Sequence, residues 1–161
     1  KGPKMDIIIQ KCTELGVNRI VPVVNMRNVV KLSYEQDIRK KTQRWQRIAI
    51  EAAKQSRRGI IPKIDRPKEF KEALEDASTL DLAIMPYEMD QNNPLKDAIH
   101  GKNIREIGIF IGPEGGYENF EVMEALNKGV ITVTLGPRIL RTETAGIAVL
   151  SCLMYEFDEM Q

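Results

Sequence analysis

Histidine, tryptophan and cysteine are scarce in this sequence, and their scarcity argues against several kinds of site. The 161 residues include one histidine, one tryptophan and two cysteines. No Ser-His-Asp triad is recognisable. His100 and two distant cysteines do not make a zinc site, so we predict no metal and expect His100 to be a loop residue without a special role. Cys12 and Cys152 lie in apolar helical patterns, which favours buried free thiols over a disulfide.

Long apolar runs are also missing. No stretch approaches the length of a membrane span and no signal peptide is visible, so the sequence predicts a cytoplasmic protein with no membrane contact. Hydrophobic residues make up 42% and charged residues 29%. Those values are ordinary for a globular protein, and the length fits one domain with a sizeable core.

Charge is almost balanced overall but unevenly distributed. The net charge is +1, yet residues 35–66 carry ten Lys or Arg against four acids, and residues 67–128 carry six against thirteen. A basic face on a near-neutral protein is typical of nucleic-acid contact. The alternative is an ordinary solvated helix face.

Apolar periodicity predicts alternating helices and strands. Helices are expected at 5–15, 38–56, 67–76, 118–128 and 144–157, with a short helix or loop at 92–100. Strands are expected at 19–25, 60–64, 79–85, 104–111 and 130–135. Gly16 and Gly59 are expected to end the first two helices, and Pro22 indicates an edge position or bulge. The alternation favours an α/β fold, a mostly parallel sheet with helices on both faces.

Two loops that follow strands share a Gly-Pro turn. The first is Ile111-Gly112-Pro113-Glu114-Gly115-Gly116, and the second runs from Leu135-Gly136-Pro137 to Arg141-Thr142-Glu143-Thr144-Ala145. Glycine lets a backbone approach a ligand closely, and main-chain groups of such loops can hold an adenine. Two such loops suggest one ligand at the carboxyl edge of the sheet, although Gly-Pro pairs can simply mark strand ends. Neither loop matches a P-loop or a dinucleotide-binding fingerprint.

Four segments together carry a family resemblance. Lys11-Cys12-Thr13-Glu14-Leu15-Gly16-Val17, the helix segment 45–58 with its Glu51-Ala52 and Gln55-Ser56 pairs, and the two Gly-Pro loops occur in the family's order. They resemble the 16S ribosomal RNA uridine-N3 methyltransferases, the ribosomal RNA small subunit methyltransferase E family of the SPOUT superfamily. The similarity covers almost the whole chain.

The resemblance implies a fold and partners that periodicity alone does not. It implies a C-terminal trefoil knot, S-adenosyl-L-methionine bound within the knotted loops, and a homodimer with active sites at the interface. It also implies 16S rRNA or the 30S subunit as substrate. Members carry an N-terminal PUA-like RNA-binding domain, and residues 1–161 correspond to the methyltransferase domain alone.

The same resemblance assigns roles to residues. Arg138 or Arg141 would stabilise the negative charge that develops on the uridine imide, and Glu143 would orient the arginine or help accept the proton. The expected cofactor-binding residues are Ile111, Gly112, Pro113, Glu114, Gly115, Gly116, Leu135, Gly136, Ile139, Leu140, Arg141, Thr144 and Ala145. The basic helix and the resemblance together give the expected RNA-binding residues Arg44, Arg47, Gln55, Arg57 and Arg58. For Gln55, Arg57 and Arg58 the alternative is a place in the wall of the active-site pocket.

Two alternative functions stay open at this point. One is a catalytically idle RNA-binding domain of the same fold. The other is a flavodoxin-like enzyme whose glycine loops hold a nucleotide phosphate. A separate question concerns the helix at 144–157, which is apolar nearly all round. It is either a central core helix or part of a subunit interface.

Overall fold

The computed structural model of the chain describes residues 3–24 and 35–160. Six helices lie in these ranges: α1 (Pro3–Glu14), α2 (Glu35–Gln55), α3 (Phe70–Ala77), α4 (Leu95–Ile99), α5 (Asn119–Asn127) and α6 (Thr142–Glu156). Seven strands lie there too: β1 (Arg19–Ile20), β2 (Val23–Val24), β3 (Lys63–Ile64), β4 (Lys68–Glu69), β5 (Leu82–Pro86), β6 (Ile107–Ile109) and β7 (Ile131–Val133). All the strand pairs among them are parallel.

A three-stranded sheet with the order β6-β5-β7 forms the centre of the C-terminal half. Successive side chains of a strand point to opposite faces. In β5, Ala83 and Met85 pack with α3 and α5, whereas Leu82 and Ile84 pack with α4 and α6. The predicted parallel sheet with helices on both faces is therefore confirmed for this part of the chain.

The N-terminal strands form an interrupted parallel ribbon. The sequence had predicted that they would belong to one continuous sheet. β1 pairs with β3 and β2 pairs with β4, so the segment predicted as a single strand at 19–25 changes partner within its length. Pro22 lies at the change and Pro67 lies at the matching point between β3 and β4. Proline has no N–H to donate to a ladder, so each proline interrupts the pairing.

Glycine at the end of α1 allows that helix to pack against α6. Gly16 has φ +107°, and the Val17 N–H bonds to the Cys12 carbonyl at 3.0 Å, which closes the helix in a left-handed cap. A Cβ at Gly16 would lie 2.9 Å from Cε of Met154 in α6. The left-handed backbone of the cap requires glycine here, and a side chain at this position would also displace the end of Met154.

Several sequence predictions need correction. β4 was not predicted, because a two-residue strand has no periodicity of its own. The left-handed residue after α2 is Arg57, with φ +57°, and Gly59 does not have a positive φ. Cys12 is buried as predicted, but Cys152 is exposed on the outer side of α6. His100 ends α4 and pairs with Glu156, Nδ1 to Oε1 at 2.7 Å. Within the described ranges, no helix is both long and apolar enough to cross a membrane.

Candidate active site

Three loops leave the central sheet at one edge. Because β5, β6 and β7 are parallel, the segments that follow them emerge on the same side. These segments are residues 87–93 after β5, residues 111–116 after β6 and residues 134–141 after β7. The last two are the Gly-Pro loops predicted from the sequence, so the topology brings their strand ends to one edge.

A direct hydrogen bond joins the two Gly-Pro loops. Thr142 Oγ1, in the first turn of α6, donates to the Gly112 carbonyl at 2.9 Å. Ile111 lies beside α6 as well, since a Cβ at Gly146 would be 3.7 Å from its Cγ1. The Gly116 N–H bonds back to the Pro113 carbonyl at 2.8 Å, which closes a tight turn in the first loop. The first loop is thus fixed internally and tied to the end of the second.

The glycines of the two loops serve different purposes. A Cβ at Gly112 would lie 3.1 Å from Cε2 of the buried Tyr117 ring, so this glycine permits close packing on the core. Burial, with a smaller effect of Glu121, raises the pKa of the Tyr117 hydroxyl. Gly136 has φ +94° and a Cβ there would meet no atom within 4 Å. At Gly136 the backbone conformation, and not a neighbouring side chain, requires glycine.

The loop at 87–93 was missed by sequence reasoning. It is hydrogen bonded to β7: Asn93 Nδ2 donates to the Thr132 carbonyl at 2.6 Å, and the Thr132 hydroxyl donates to Asp90 Oδ2 at 2.6 Å. A groove of about 520 Å³ lies between this loop, Thr132 and α5, in the size range of ligand pockets. The sequence signal for this loop is Pro86-Tyr87, which directly follows a buried strand.

Charged side chains meet where the first loop faces α6. Glu143 lies in the first turn of α6. Its pKa is below the ordinary value, chiefly because the carboxylate accepts a hydrogen bond from its own backbone N–H. Burial raises this pKa, whereas the charges of Lys4 and Arg141 lower it further. Lys4, in the first turn of α1, forms a hydrogen-bonded ion pair with Glu114 and lies 3.5 Å from Glu143 Oε2. Sequence reasoning missed Lys4, because it is 110 residues from Glu114.

The two predicted catalytic arginines are exposed and available. The side chains of Arg138 and Arg141 make no hydrogen bond or salt bridge within the described part of the chain, although the charge of Arg141 helps to lower the pKa of Glu143. Ile139 between them is 82% exposed.

The other predicted cofactor-binding residues fall into two groups, one partly buried and one exposed. Partly buried are Ile111, Gly112, Pro113, Gly116, Leu135, Leu140 and Ala145, and exposed are Glu114, Gly115, Gly136 and Thr144. Leu135 packs against the core cluster that includes Val133. A set of half-buried backbone segments with exposed glycines suits a ligand held chiefly by main-chain groups.

A groove of about 760 Å³ between α1 and α2 brings together three of the predicted RNA-binding residues. Arg44, Arg47 and Gln55 line it. Arg44 is paired with Asp6 across the groove, whereas Arg47 has no ion-pair partner among the described residues. Arg57 is exposed just beyond the end of α2.

Arg58 has a different environment from its neighbours. Its guanidinium donates to the carbonyls of Thr13, Gly16 and Val17 at 2.9, 3.0 and 2.8 Å. Burial lowers the pKa of Arg58, yet a guanidinium stays charged at any physiological pH. A cation at the carbonyl end of α1 is favourable, so the structure assigns Arg58 to holding α1 and α2 together.

The structure is that of an α/β protein in which the loops that follow three parallel strands leave the sheet at one edge. Residues 1–154 match the family described as RNA methyltransferase domain. The chain belongs to that family.

Three known proteins illustrate the similarity. Ribosomal RNA small subunit methyltransferase E of Mesomycoplasma hyopneumoniae is 39% identical over 152 residues, covering 94% of this chain and 64% of the relative. The Bacillus subtilis protein of the same name is 37% identical over 161 residues, covering 97% and 62%. The crystal structure of a ribosomal RNA small subunit methyltransferase E from Neisseria gonorrhoeae, bound to S-adenosyl methionine, is 35% identical, with a TM-score of 0.85 and coverage of 96% and 62%. This chain therefore spans somewhat less than two thirds of each of these proteins.

Proposed function

We propose that this chain is the methyltransferase domain of an enzyme that transfers a methyl group from S-adenosyl-L-methionine to N3 of a uridine in 16S rRNA of the small ribosomal subunit. The observation that carries the proposal is the hydrogen bond from Thr142 to the Gly112 carbonyl, which unites two Gly-Pro loops at one sheet edge. Family membership supports the reaction class, and the relatives' names support the ribosomal substrate.

The residues present fit the cofactor. Its adenosine can be held by backbone groups, and the two loops offer backbone at a sheet edge where Gly136 has a left-handed conformation with open space at its Cβ position. Gly112, Gly115, Gly116 and Gly136 would lie against it, with Ile139 and Leu140 as apolar contacts. The bound cofactor would supply an activated methyl group on a sulfonium, so the chain's own contribution is chiefly positioning and electrostatics.

Arg141 and Arg138 are the groups proposed to act on the uridine. Loss of the N3 proton leaves a negative charge spread over the imide, and an exposed arginine beside the loops can stabilise that charge. Glu143, ionised and next to Arg141, orients the guanidinium. A carboxylate with a lowered pKa is a weak proton acceptor near neutral pH, which favours this orienting role over that of general base.

The α1–α2 groove is proposed to contact RNA. N3 lies on the Watson–Crick edge, so the target uridine must be unpaired or flipped out, and the flanking backbone must be held elsewhere on the enzyme. Arg44, Arg47, Gln55 and Arg57 lie in or beside this groove and can bind phosphate or ribose.

The remaining features of the proposal concern architecture and location. A trefoil knot would thread the 134–141 loop and α6, and two copies would pair through the outer face of α6. The protein would act in the cytoplasm, where ribosomal subunits are assembled.

A methyl-transfer assay tests the function. The longest gene product that contains this chain is incubated with methyl-labelled S-adenosylmethionine and small ribosomal subunits that lack the modification. Label should enter 16S rRNA at one uridine and block primer extension there, because an N3 methyl group prevents Watson–Crick pairing. Arg141→Met should lower kcat at least 100-fold, in the range for removal of one charge-stabilising donor.

Arg105 provides the matched control for this assay. It is an exposed arginine just before β6, at the end of the strand opposite to the edge where both loops leave, and Arg105→Met should keep wild-type turnover. RNA binding with no label transfer and no cofactor affinity would instead indicate an idle RNA-binding domain. Label at another position of the base would refute the N3 assignment alone.

A further inference from the structure

Lys4 connects α1 to both loops of the candidate active site. Its ammonium group donates a hydrogen bond to Glu114 Oε1 in the 111–116 loop and lies 3.5 Å from Glu143 Oε2 at the start of α6. Glu114 belongs to the 111–116 loop, whereas Glu143 lies in the first turn of α6, directly after the second loop. One cation from a third element thus faces both of them.

The two carboxylates differ in their surroundings. The Glu114 side chain is 57% exposed, whereas that of Glu143 is 19% exposed. Glu143 Oε2 is buried and accepts no hydrogen bond from a described residue. A buried carboxylate oxygen is unfavourable unless a cation lies close to it. Lys4, itself 34% exposed, is the ammonium group that faces this oxygen.

The charged groups around Glu143 come from three elements. Lys4 belongs to α1, Arg141 precedes Glu143 in the chain, and Glu114 reaches Lys4 from the first loop. The ion pair with Glu114 fixes the position of the Lys4 ammonium group. Glu143 therefore lies beside a cation that is held in place by another carboxylate. Arg141, the proposed catalytic cation, makes no salt bridge with Glu143, and this carboxylate acts on it through charge alone.

We infer that Lys4 is a positioning residue for the methyl transfer proposed above. It fixes the separation between the 111–116 loop and the start of α6, and it orients Glu143 so that Arg141 faces the uridine. The inference rests on the proposed function. The rival explanation is an ordinary surface ion pair, which contributes little to stability and nothing to turnover.

Lys4→Met tests the inference in the longest gene product that contains this chain. We expect kcat to fall at least tenfold while the KM for RNA and the melting temperature stay close to wild type, since small errors in placement reduce turnover strongly. The acid limb of the kcat profile should move to higher pH, because without Lys4 the Glu143 carboxylate takes up its proton at a higher pH. Lys4→Arg should restore most of the turnover.

Lys68→Met is the matched control. Lys68 is 27% exposed and pairs with Asp76 at 2.6 Å in α3, an ion pair of similar exposure that belongs to neither loop. This variant should keep wild-type kcat and pH profile. Glu114→Gln, which removes only the first of the two Lys4 contacts, should give an intermediate kcat.

The outcomes separate the inference from the function beneath it. If Lys4→Met keeps the wild-type kcat and an unshifted pH profile, Lys4 forms an ordinary surface ion pair and the inference is wrong. A loss of kcat that follows a loss of folded protein, with no rescue by arginine, would also overturn the inference. If the wild-type protein neither binds S-adenosylhomocysteine nor transfers a methyl group, the proposed function itself is wrong.

Discussion

Arg57 and Arg58 follow the same helix and have opposite environments. Arg57 is exposed and occupies the left-handed position of the α2 cap, where the Arg58 N–H bonds to the Ala53 carbonyl at 2.9 Å. Arg58 directs its guanidinium to the carbonyls after α1. Replacement of Arg57 by glycine and of Arg58 by methionine is therefore expected to change the stability of the protein in opposite directions.

Arg57→Gly is predicted to stabilise the protein. A left-handed conformation costs a non-glycine residue about 1–2 kcal/mol, and the added freedom of glycine in the unfolded chain takes back about 0.5–1 kcal/mol. A net gain of about 0.5–1 kcal/mol should raise the melting temperature by about 1–4 °C in a domain of this size. A lower melting temperature would show that the Arg57 side chain itself stabilises the fold.

Arg58→Met is predicted to destabilise the protein by about 2–3 kcal/mol in urea unfolding. The change leaves carbonyls of the turn after α1 without their charged donor, and bonds to charged groups contribute more than neutral ones. Arg57→Met supplies the control and should change the free energy of unfolding by less than about 0.5 kcal/mol, as exposed substitutions usually do. Equal effects of the two changes would contradict the capping role.

Single residues also mark the limit of sequence reasoning. The Gly-Pro loops could be identified from local pattern, because strand ends and special turns leave local signals. Lys4 and the capping role of Arg58 could not, since each depends on partners more than 40 residues away. Cys152 was placed in the core because its neighbours are apolar, but helix phase puts it on the outer side of α6.

At the scale of elements, periodicity identified the helices well and the strands less well. The predicted helices at 5–15 and 118–128 differ from α1 and α5 by one or two residues at most boundaries. Strand ends were overextended, because apolar residues continue past the hydrogen-bonded ladder, as Ile111 does after β6. The 87–93 loop went unnoticed since its role depends on pairing with β7.

The α1–α2 groove carries an element-scale prediction. Arg47→Gln should weaken RNA binding and reduce the slope of log affinity against log salt by roughly one or less, the amount expected for one lost phosphate contact. Filter binding or fluorescence anisotropy over a range of salt concentrations measures the slope. Lys71→Gln, an exposed lysine on α3, should leave affinity and slope as they are. An unchanged slope for Arg47→Gln would make the groove ordinary solvated surface.

A second element-scale prediction concerns the outer face of α6. Val149 and Leu153 pack on the sheet and Met154 packs over Gly16, so the core-helix interpretation is confirmed for those faces. Tyr155, 77% exposed, is left outside. If two copies pair through this face, sedimentation velocity at low micromolar concentration should show a dimer for wild type and a monomer for Tyr155→Arg.

Phe120→Arg is the control for the dimer experiment. Phe120 is 55% exposed on α5 and belongs to an apolar stripe with Met123 and Leu126. The Phe120→Arg variant should remain dimeric if α6 forms the interface. The reverse result would move the interface to α5, and a well-folded wild-type monomer would refute the dimer altogether.

At the scale of the whole molecule, the parallel order of the strands is what brings the loops of the candidate site together. β6 and β7 flank β5, so loops that are separated by about twenty residues in sequence leave the sheet on one side and are joined by the Thr142 hydroxyl. The α/β class followed from alternating elements, but the division into a three-stranded sheet and an interrupted ribbon did not. Strand order depends on long-range pairing, which a single sequence does not display.

Binding of S-adenosylhomocysteine, measured by isothermal titration calorimetry, tests the central claim most directly. Wild type should bind one molecule per chain, and Thr142→Val should bind about three- to tenfold more weakly, since one hydrogen bond contributes about 1 kcal/mol. Thr79→Val, which removes a hydroxyl bond of equal length to the Asp76 carbonyl, should bind as wild type does. A folded wild-type protein that takes up a nucleotide phosphate or a flavin but not S-adenosylhomocysteine would contradict the account.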